Sequence, residues 1–349
     1  MTFQIALTGD FQKDGKMVYP DFDLGQLEAA SGIKYSFFTE HKSEIEPEQL
    51  KGFQGVIVMT PKVTSQSLVQ SQDLLAVSRF GVGYDSVDVS ACTEADVVLC
   101  ITAGAVDRPV AEATVGWMIA LGHRMINKDK LVRKGLWHQS SEYMGGELRD
   151  RTLGVVGLGG IGSVVIELLK GFGMKQPLVY DPFIDQINAE KLGVKKVELQ
   201  ELMKYSDFIT LHCPLNEHTR NLISHSELDL MKSSSFIINT ARGGIINEDA
   251  LFKALSEKKI AGAALDCFND EPVLKPNRFS ELDNIILAPH SIAWTQELFR
   301  DMGMMCSQNM IDLANGIRPH GVVNPEVFDR LSFQKKWENL RVQPNPTSS

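Results

Sequence analysis

Three ionisable side chains in the second half of the chain could together perform acid–base chemistry on a small carboxylic acid. Arg242, Glu271 and His290 each follow a short apolar segment within a few residues. Histidine exchanges protons near neutral pH, and a carboxylate beside it would fix the orientation of its ring. Arginine can bind a substrate carboxylate through two parallel hydrogen bonds. The set therefore predicts reduction of a 2-oxo acid, with His290 as the proton donor and Arg242 polarising the carbonyl.

The segment TLGVVGLGGIG, residues 152–162, has the pattern of a dinucleotide-binding turn between a strand and a helix. Gly157 permits the tight turn, Gly159 allows the backbone to approach a pyrophosphate, and Gly162 allows close packing of helix and strand. Asp181 ends the next apolar segment, where a carboxylate can bind the adenosine ribose. Because Pro182 and Phe183 follow it rather than a basic residue, we expect NAD rather than NADP.

These residues need a framework of parallel strands, whose carboxyl ends form one rim. Short segments rich in Val and Ile alternate with helical patterns, which predicts parallel sheets covered on both faces. The first series of predicted strands is Gln4–Thr8, Gly55–Met59, Leu74–Arg79 and Val97–Thr102. The second series is Leu153–Gly157, Leu178–Asp181, Phe208–Cys213, Phe236–Thr240, Ala263–Asp266 and Ile285–Ala288.

The order of these elements predicts an α/β protein with two Rossmann-like or flavodoxin-like lobes. We expect a cofactor domain over residues 121–294, inserted into a discontinuous substrate domain formed by residues 1–120 and 295–331. A long helical pattern that begins near Thr295 has methionines at helical spacing, which is typical of core packing. Residues 332–349 read as a polar, loosely ordered tail.

The composition excludes several classes of function. With 35 basic and 44 acidic residues the net charge is −9, so binding to nucleic acid is not expected. No apolar stretch reaches the roughly 18 residues of a membrane span, and residues 1–10 do not have the pattern of a signal peptide. The five scattered cysteines suit a reducing, cytoplasmic location, and we expect neither a disulfide framework nor a metal.

The chain resembles the D-isomer-specific 2-hydroxyacid dehydrogenase family over most of residues 55–325. Besides the glycine-rich segment, the motifs that carry the resemblance are RFGVGYDSVD (79–88), VAEATVG (110–116), HCPLNEHTRNLI (212–223), NTARGGIINEDAL (239–251), GAALDCFNDEP (262–272) and PHSIAWTQE (289–297). The resemblance implies two similar lobes, NAD as cofactor, a small 2-oxo or D-2-hydroxy acid as substrate, and a homodimer paired through the cofactor domain.

The resemblance also implies roles for individual residues. Arg242, Glu271 and His290 match the catalytic residues, and the N–H groups of Val82 and Gly83 match a loop that holds the substrate carboxylate. Further cofactor contacts are implied at Thr114, Gly160, Ile161, Cys213, Pro214, Thr219, Thr240, Ala241 and Asp266, the last of which would bind the nicotinamide carboxamide.

Some features depart from common members of the family. Trp294 stands where many members have a small residue, so it either lines the substrate pocket or packs between lobes. Residues Lys13, Lys16, Tyr19 and Lys62 match no family motif. The lysines leave open a phosphorylated or sulfonated hydroxy acid as substrate. Another alternative is an NAD(H)-sensing, corepressor-like binding protein.

Overall fold

The computed structural model describes residues 2–342, which divide into two compact units. The first unit comprises residues 2–106 and 294–342 of the described chain, and the second is Asp107–Ala293. The first unit is therefore discontinuous in sequence. The boundaries differ from those expected, since residues 107–120 belong to the second unit and Trp294 belongs to the first.

The N-terminal part of the first unit alternates strands with short helices. Its strands are β1 (Phe3–Leu7), β2 (Gln12–Lys13), β3 (Lys16–Met17), β4 (Ile33–Phe37), β5 (Gly55–Val58), β6 (Ala76–Arg79) and β7 (Val98–Ile101). Its helices are α1 (Gly25–Ala29), α2 (Pro47–Leu50) and α3 (Val89–Glu94). Five strands form a parallel sheet in the order β4-β1-β5-β6-β7, and β2 and β3 form an antiparallel hairpin. This is the flavodoxin-like strand order.

The sequence patterns predict four strands of this sheet and miss β4. Strand β4 lies at the edge and pairs only with β1. Its residues alternate between the core and solvent, with Ile33 buried and Lys34 exposed. An edge strand of this kind lacks the continuous apolar run by which the central strands were recognised.

The second unit is a doubly wound domain with one parallel sheet of seven strands. Its helices are α4 (Asp107–Gly122), α5 (Met125–Arg133), α6 (Gly160–Leu169), α7 (Gln186–Lys191), α8 (Leu199–Tyr205), α9 (His225–Leu230) and α10 (Glu248–Ser256). Its strands are β8 (Leu153–Val156), β9 (Leu178–Tyr180), β10 (Lys195–Lys196), β11 (Phe208–Leu211), β12 (Phe236–Asn239), β13 (Gly262–Leu265) and β14 (Ile285–Leu287). The order β10-β9-β8-β11-β12-β13-β14 reverses direction at β8, as in dinucleotide-binding folds. All six predicted strands are present. The seventh strand, β10, is a short polar strand at the edge of the sheet that the sequence patterns did not predict.

Helix α4 explains why the domain boundary was misplaced. Its side chains Trp117, Met118 and Leu121 are buried in one cluster with Val155 of β8 and Val165 of α6. The apolar periodicity of a helix shows that one face is buried, but it does not show which sheet covers that face. Residues 107–120 are therefore a structural part of the second unit.

The chain returns to the first unit through α11 (Gln296–Ala314), the longest helix. Thr295 caps it, because the Thr295 hydroxyl oxygen accepts a hydrogen bond from Leu298 N at 3.1 Å. Met302 and Met310 are buried, so the methionine stripe is core packing as expected. No helix within residues 2–342 has both the length and the apolar character needed to cross a membrane.

The last helix, α12 (Leu331–Leu340), corrects the expected loose tail. Phe333 is fully buried, and Trp337 Nε1 donates a hydrogen bond to Leu313 O at 2.7 Å. The segment looked polar because most of its residues face solvent, while a few large aromatic residues hold it against the unit. Residues 343–349, the rest of the expected tail, lie outside the described residues.

Candidate active site

His290 and Glu271 form a direct pair at the carboxyl end of the second unit's sheet. His290 follows β14, Glu271 follows β13, and the two strands are neighbours. His290 Nδ1 lies 2.7 Å from Glu271 Oε2, and Glu271 Oε1 accepts a hydrogen bond from Phe268 N at 2.8 Å. With Nδ1 facing the carboxylate, Nε2 is the ring atom that can exchange a proton with a substrate.

The surroundings of Glu271 favour its ionised form. Burial raises its pKa, but hydrogen bonds from His290 and from Phe268 N outweigh this, and the charges of His290 and Arg242 act in the same direction. The net pKa of Glu271 is therefore below its usual value. The Glu271 carboxylate at Nδ1 therefore orients the imidazole.

Asp266 holds the loop that carries His290. His290 has a left-handed backbone conformation, with φ 53°, and His290 N donates to Asp266 O at 2.7 Å. The Asp266 carboxylate accepts hydrogen bonds from Ser291 N at 2.9 Å and from Ile292 N at 3.2 Å. The resemblance suggested a contact with the carboxamide, whereas the structure adds a role in positioning His290 that sequence reasoning missed.

Arg242 lies on the loop that follows β12, and Asn239 shapes this loop. Asn239 Oδ1 accepts a hydrogen bond from Ala241 N at 3.0 Å, while Asn239 Nδ2 donates to Arg242 O at 2.8 Å. A Cβ atom added to Gly243 would lie 1.9 Å from Phe268 O. The loops bearing Arg242 and Glu271 are thus in direct backbone contact, and the three predicted catalytic residues come together on one rim.

The glycine-rich turn has the geometry expected of a phosphate-binding loop. Gly157 has φ 92°, and a Cβ there would lie 2.8 Å from Cys213 N. At Gly162 a Cβ would lie 2.6 Å from Gly157 O, so the start of α6 packs directly on the turn. Gly159, just before α6, faces open space. The residues present fit a dinucleotide, because the N-terminal N–H groups of α6 are accessible to a pyrophosphate.

Asp181 stands beside this turn. One carboxylate oxygen accepts a hydrogen bond from Leu158 N at 2.8 Å, and the other accepts one from Phe183 N at 2.8 Å. Each carboxylate oxygen has a second lone pair, so ribose hydroxyls can still bind there. The Phe183 side chain, next to it, is 96% exposed.

Asp107 lies beside the glycine-rich turn, and the sequence analysis did not identify it. A Cβ added to Gly160 would lie 2.0 Å from Asp107 Oδ2, which places the carboxylate over the first residue of α6. Burial raises the pKa of Asp107. A negative charge at the place where a pyrophosphate would bind is unfavourable for the cofactor. No local pattern links Asp107 to a glycine so far along the chain.

The other expected cofactor contacts differ in how accessible they are. Thr219 Oγ1 donates a hydrogen bond to Pro214 O at 2.6 Å, which shapes the turn after β11. Thr114 is fully buried, with its Oγ1 3.3 Å from Thr240 Oγ1, so the structure places it behind the rim and not on it. Two further expected contacts, Ile161 and Ala241, are partly exposed.

Cys213, one of the expected contacts, and the preceding His212 both have uncharged side chains. Burial raises the pKa of the Cys213 thiol to about 11. Burial lowers the pKa of His212 to about 3, and its Nε2 lies 3.0 Å from Thr210 Oγ1. His212 is therefore an uncharged structural residue.

Cys267 approaches the catalytic pair. Ligand atoms of Cys267, Glu271 and His290 lie within 4.8 Å of one another. However, the 2.7 Å between His290 Nδ1 and Glu271 Oε2 is a hydrogen-bond distance, shorter than the roughly 3.3 Å between two ligands of a tetrahedral zinc ion. The pair is arranged for proton chemistry, and the Cys267 sulfur donates to Ala241 O at 3.4 Å.

Val82 and Gly83 lie in the first unit, on the loop after β6. Gly81 has φ 133°, and its carbonyl accepts a hydrogen bond from Thr102 N at 3.1 Å. Within residues 2–342, no hydrogen bond takes up the N–H group of Val82 or of Gly83. Two adjacent N–H groups on a partly exposed loop can bind a carboxylate.

Trp294 also belongs to the first unit. Its indole is 53% exposed, and it packs edge-on against Tyr19 at 5.5 Å and against Phe299 at 5.4 Å between ring centroids. Half of the ring is therefore held by aromatic neighbours, and the rest is accessible.

The chain was compared with family models, with curated proteins and with solved structures. Residues 115–291 match the family model described as D-isomer specific 2-hydroxyacid dehydrogenase, NAD binding domain. The D-3-phosphoglycerate dehydrogenase of Methanocaldococcus jannaschii is 38% identical over 323 residues, which are 92% of this chain and 59% of that protein. This chain therefore spans less than two thirds of the length of that relative.

Two further similarities cover a larger part of the related protein. The glyoxylate reductase of Korarchaeum cryptofilum is 35% identical over 275 residues, covering 78% of this chain and 82% of that protein. The apo-structure of D-lactate dehydrogenase from Escherichia coli superimposes with a TM-score of 0.74 at 25% identity, covering 92% of this chain and 100% of that one.

Proposed function

This chain belongs to the D-isomer-specific 2-hydroxyacid dehydrogenase family, and we propose that it interconverts a 2-oxo acid and a D-2-hydroxy acid with NAD as cofactor. The observation that carries the proposal is the 2.7 Å contact between His290 and Glu271, on the same rim as Arg242 and the glycine turn. Proton donor, orienting carboxylate, guanidinium and dinucleotide loop are the groups that this reaction requires.

Each proposed catalytic residue has a separate role in the reduction. When bound, NADH supplies the hydride that reduces the carbonyl carbon. His290 Nε2 gives its proton to the carbonyl oxygen, and Glu271 stabilises the imidazole in its protonated form. In the second unit, Arg242 binds the substrate and polarises its carbonyl. For the first unit, we propose the adjacent N–H groups of Val82 and Gly83 as donors to a substrate carboxylate. In the reverse direction His290 accepts the hydroxyl proton.

We assign the cofactor contacts to the rim of the second unit. Gly157, Gly159, Gly160, Ile161 and Gly162 hold the pyrophosphate, and Asp181 binds the adenosine ribose. The adenosine and nicotinamide ends are assigned to Cys213, Pro214, Thr219, Thr240, Ala241 and Asp266, and Thr114 supports Thr240 from the core. A carboxylate at 181 repels a 2′-phosphate, so NAD is the expected cofactor.

The direct test is NADH oxidation at 340 nm with a panel of 2-oxo acids. Replacing the proton donor in His290→Ala should lower turnover by about 10²–10⁴-fold and leave NADH affinity nearly unchanged. Asp181→Ala should weaken NADH binding and relax discrimination against NADPH. An absence of NADH oxidation across the whole panel would refute the proposed activity.

We further propose a homodimer that pairs through the second unit. The segment after α5 exposes apolar side chains, with Trp137 76% and Met144 79% exposed in the single chain. Large exposed apolar groups within one segment are typical of an interface. Light scattering should give the mass of two 38.7 kDa chains, and the double variant Trp137→Glu/Met144→Glu should give one.

For location we propose the cytoplasm. All five cysteines are free thiols, and four of them are buried. Unpaired thiols are usual in a reducing compartment. Cell fractionation with an antibody against the chain tests this, and recovery outside the cytoplasmic fraction would contradict it.

A further inference from the structure

The first unit has a ligand-binding edge of its own, at the point where its strand order reverses. From β1 the chain crosses to β4 on one side and then to β5 on the other, so the topological switch lies between β1 and β5. Ligands of open α/β sheets bind outside the carboxyl ends of strands at such a point. The residues that follow β1 and β5 therefore occupy the position of a ligand subsite.

Asp10 occupies this switch point. Its carboxylate accepts hydrogen bonds from the Thr8 hydroxyl at 2.5 Å and from Thr60 N at 2.8 Å, and it also accepts one from the Thr60 hydroxyl. Thr8 follows β1 and Thr60 follows β5. A carboxylate thus links the two strand ends and places negative charge at this edge.

An aromatic wall stands beside Asp10. Val18 N donates to Phe11 O at 2.9 Å, which returns the chain after the β2–β3 hairpin to the end of β1 and brings Tyr19 close to Asp10. The Tyr19 ring stacks on Phe299 at 4.2 Å with an interplanar angle of 14°. Burial and the charge of Asp10 both raise the pKa of Tyr19.

This wall extends to the loop assigned to the substrate carboxylate. Phe80 directly precedes the loop bearing Val82 and Gly83, and its ring lies 5.9 Å from that of Phe299. Trp294, four residues after His290 in the chain, completes the wall with an indole that is 53% exposed. Tyr19 and Trp294 are the accessible rings of this wall, and the buried rings of Phe80 and Phe299 support them from behind.

The lysines of the same region are turned to solvent. Lys13 and Lys16 pair with each other across the short hairpin, and both are exposed. Lys62 is exposed too, and its backbone is tied to the neighbouring segment through Lys62 N to Ser43 O at 2.9 Å. Exposed ammonium groups are hydrated and screened by salt, so they contribute little to a subsite lined by Asp10 and aromatic rings.

We propose that this edge, where Asp10, Tyr19 and Trp294 are accessible over the buried rings of Phe80 and Phe299, receives the side chain of the substrate and selects an uncharged aromatic side chain over a phosphorylated one. The inference rests on the dehydrogenase function proposed above. Aromatic rings bind a planar apolar group through stacked and edge-on contacts. Asp10 repels a phosphate dianion, because like charges in a partly buried site are weakly screened.

The experiment compares kcat/KM for phenylpyruvate, glyoxylate and phosphohydroxypyruvate with NADH. Phenylpyruvate should be preferred over phosphohydroxypyruvate by at least about tenfold. Trp294→Ala and Tyr19→Ala should each lower the ratio of phenylpyruvate to glyoxylate by at least about tenfold. Tyr19→Phe should retain the ratio, because it keeps the ring that stacks on Phe299.

A triple variant, Lys13→Ala/Lys16→Ala/Lys62→Ala, serves as the control and should leave all three values within about twofold. Preference for phosphohydroxypyruvate, lost in this triple variant, would overturn the inference in favour of an anionic substrate. An unchanged ratio in both ring-removing variants would overturn it as well. Both results differ from failure of the proposed function, in which no 2-oxo acid supports NADH oxidation.

Discussion

Gly243 lies so close to Phe268 that a Cβ atom on the glycine would be 1.9 Å from the Phe268 carbonyl oxygen. This contact joins the loop of Arg242 to the loop that begins at Phe268 and carries Glu271. The relative placement of guanidinium and carboxylate therefore depends on the absence of a side chain at residue 243. The contact is made by backbone atoms, so no rotamer change can relieve the clash.

Gly243→Ala should accordingly lower kcat/KM by at least about 100-fold, since displacements of the order of 1 Å have effects of that size. The matched control is Gly116→Ala on the exposed face of α4, where a Cβ would meet no atom within 4 Å. That variant should keep full activity and gain about 0.5–1 kcal/mol in unfolding free energy. Steady-state kinetics and urea unfolding of both variants test this, and near-normal activity of Gly243→Ala would rule out the proposed constraint.

Glu271→Gln should lower activity and change the pH dependence of stability. The carboxylate fixes the orientation of the His290 ring, so its loss should lower kcat/KM for 2-oxo acid reduction by about 100-fold. The pKa of Glu271 is lowered in the fold, so the stability it contributes is complete above about pH 4.3, its unfolded value, and is lost as pH falls through the folded pKa.

Two measurements check the Glu271→Gln prediction, namely steady-state kcat/KM and urea unfolding at pH 6 and pH 3.5. The difference in unfolding free energy between wild type and variant should shrink at the lower pH. An unchanged kcat/KM would mean that Glu271 only packs against the ring. The variant retains a side chain of the same shape, which separates charge from packing.

The sequence was informative where the signal is local. A strand, three glycines and Asp181 lie within thirty residues, so the turn beside α6 could be predicted from spacing alone. Arg242, Glu271 and His290 follow neighbouring parallel strands, and the sheet brings them together. By contrast, helical periodicity could not assign α4 to a sheet, and Asp107 approaches Gly160 only through the packing of α4 on α6.

The same reasoning explains the remaining differences. The hydrogen bonds that the Asp266 carboxylate accepts from Ser291 N and Ile292 N depend on loop geometry after two strands, which residue types do not encode. Residues 332–340 looked like a tail because a short helix held by Phe333 and Trp337 has a mainly polar composition. Local composition underestimates how well ordered a segment is when only a few large side chains anchor it.

Asp107→Asn should strengthen cofactor binding. The Asp107 carboxylate lies over the start of α6, where the pyrophosphate is proposed to bind. Removing one repulsive charge there should lower the Kd for NADH about fivefold, which corresponds to about 1 kcal/mol. Glu112→Gln, an exposed charge on the same helix paired with Arg108, changes the net charge equally and should have no effect. Fluorescence titration with NADH measures both, and weaker binding by Asp107→Asn would show that the carboxylate supports the loop instead.

Lys336 provides a test of how α12 is anchored. Its ammonium donates hydrogen bonds to Ser71 O at 3.2 Å, Ala95 O at 3.2 Å and Asp96 O at 3.1 Å. Burial lowers the pKa of Lys336 to about 8, although nearby aspartates oppose the shift. In the unfolded chain a lysine titrates at about 10.4. Between these values the unfolded state binds more protons, so the contribution of Lys336 to stability rises with pH across that window.

The unfolding free energy of wild type relative to Lys336→Ala should therefore increase by about 2 kcal/mol between pH 7 and pH 10. Lys335→Ala, at the exposed neighbouring position, should show no such pH-dependent difference. Urea unfolding at pH 7, 8.5 and 10 provides the measurement for all three proteins. A difference that stays constant with pH would mean that the Lys336 ammonium is as well solvated in the fold as in the unfolded chain, and α12 would then be held by Phe333 and Trp337 alone.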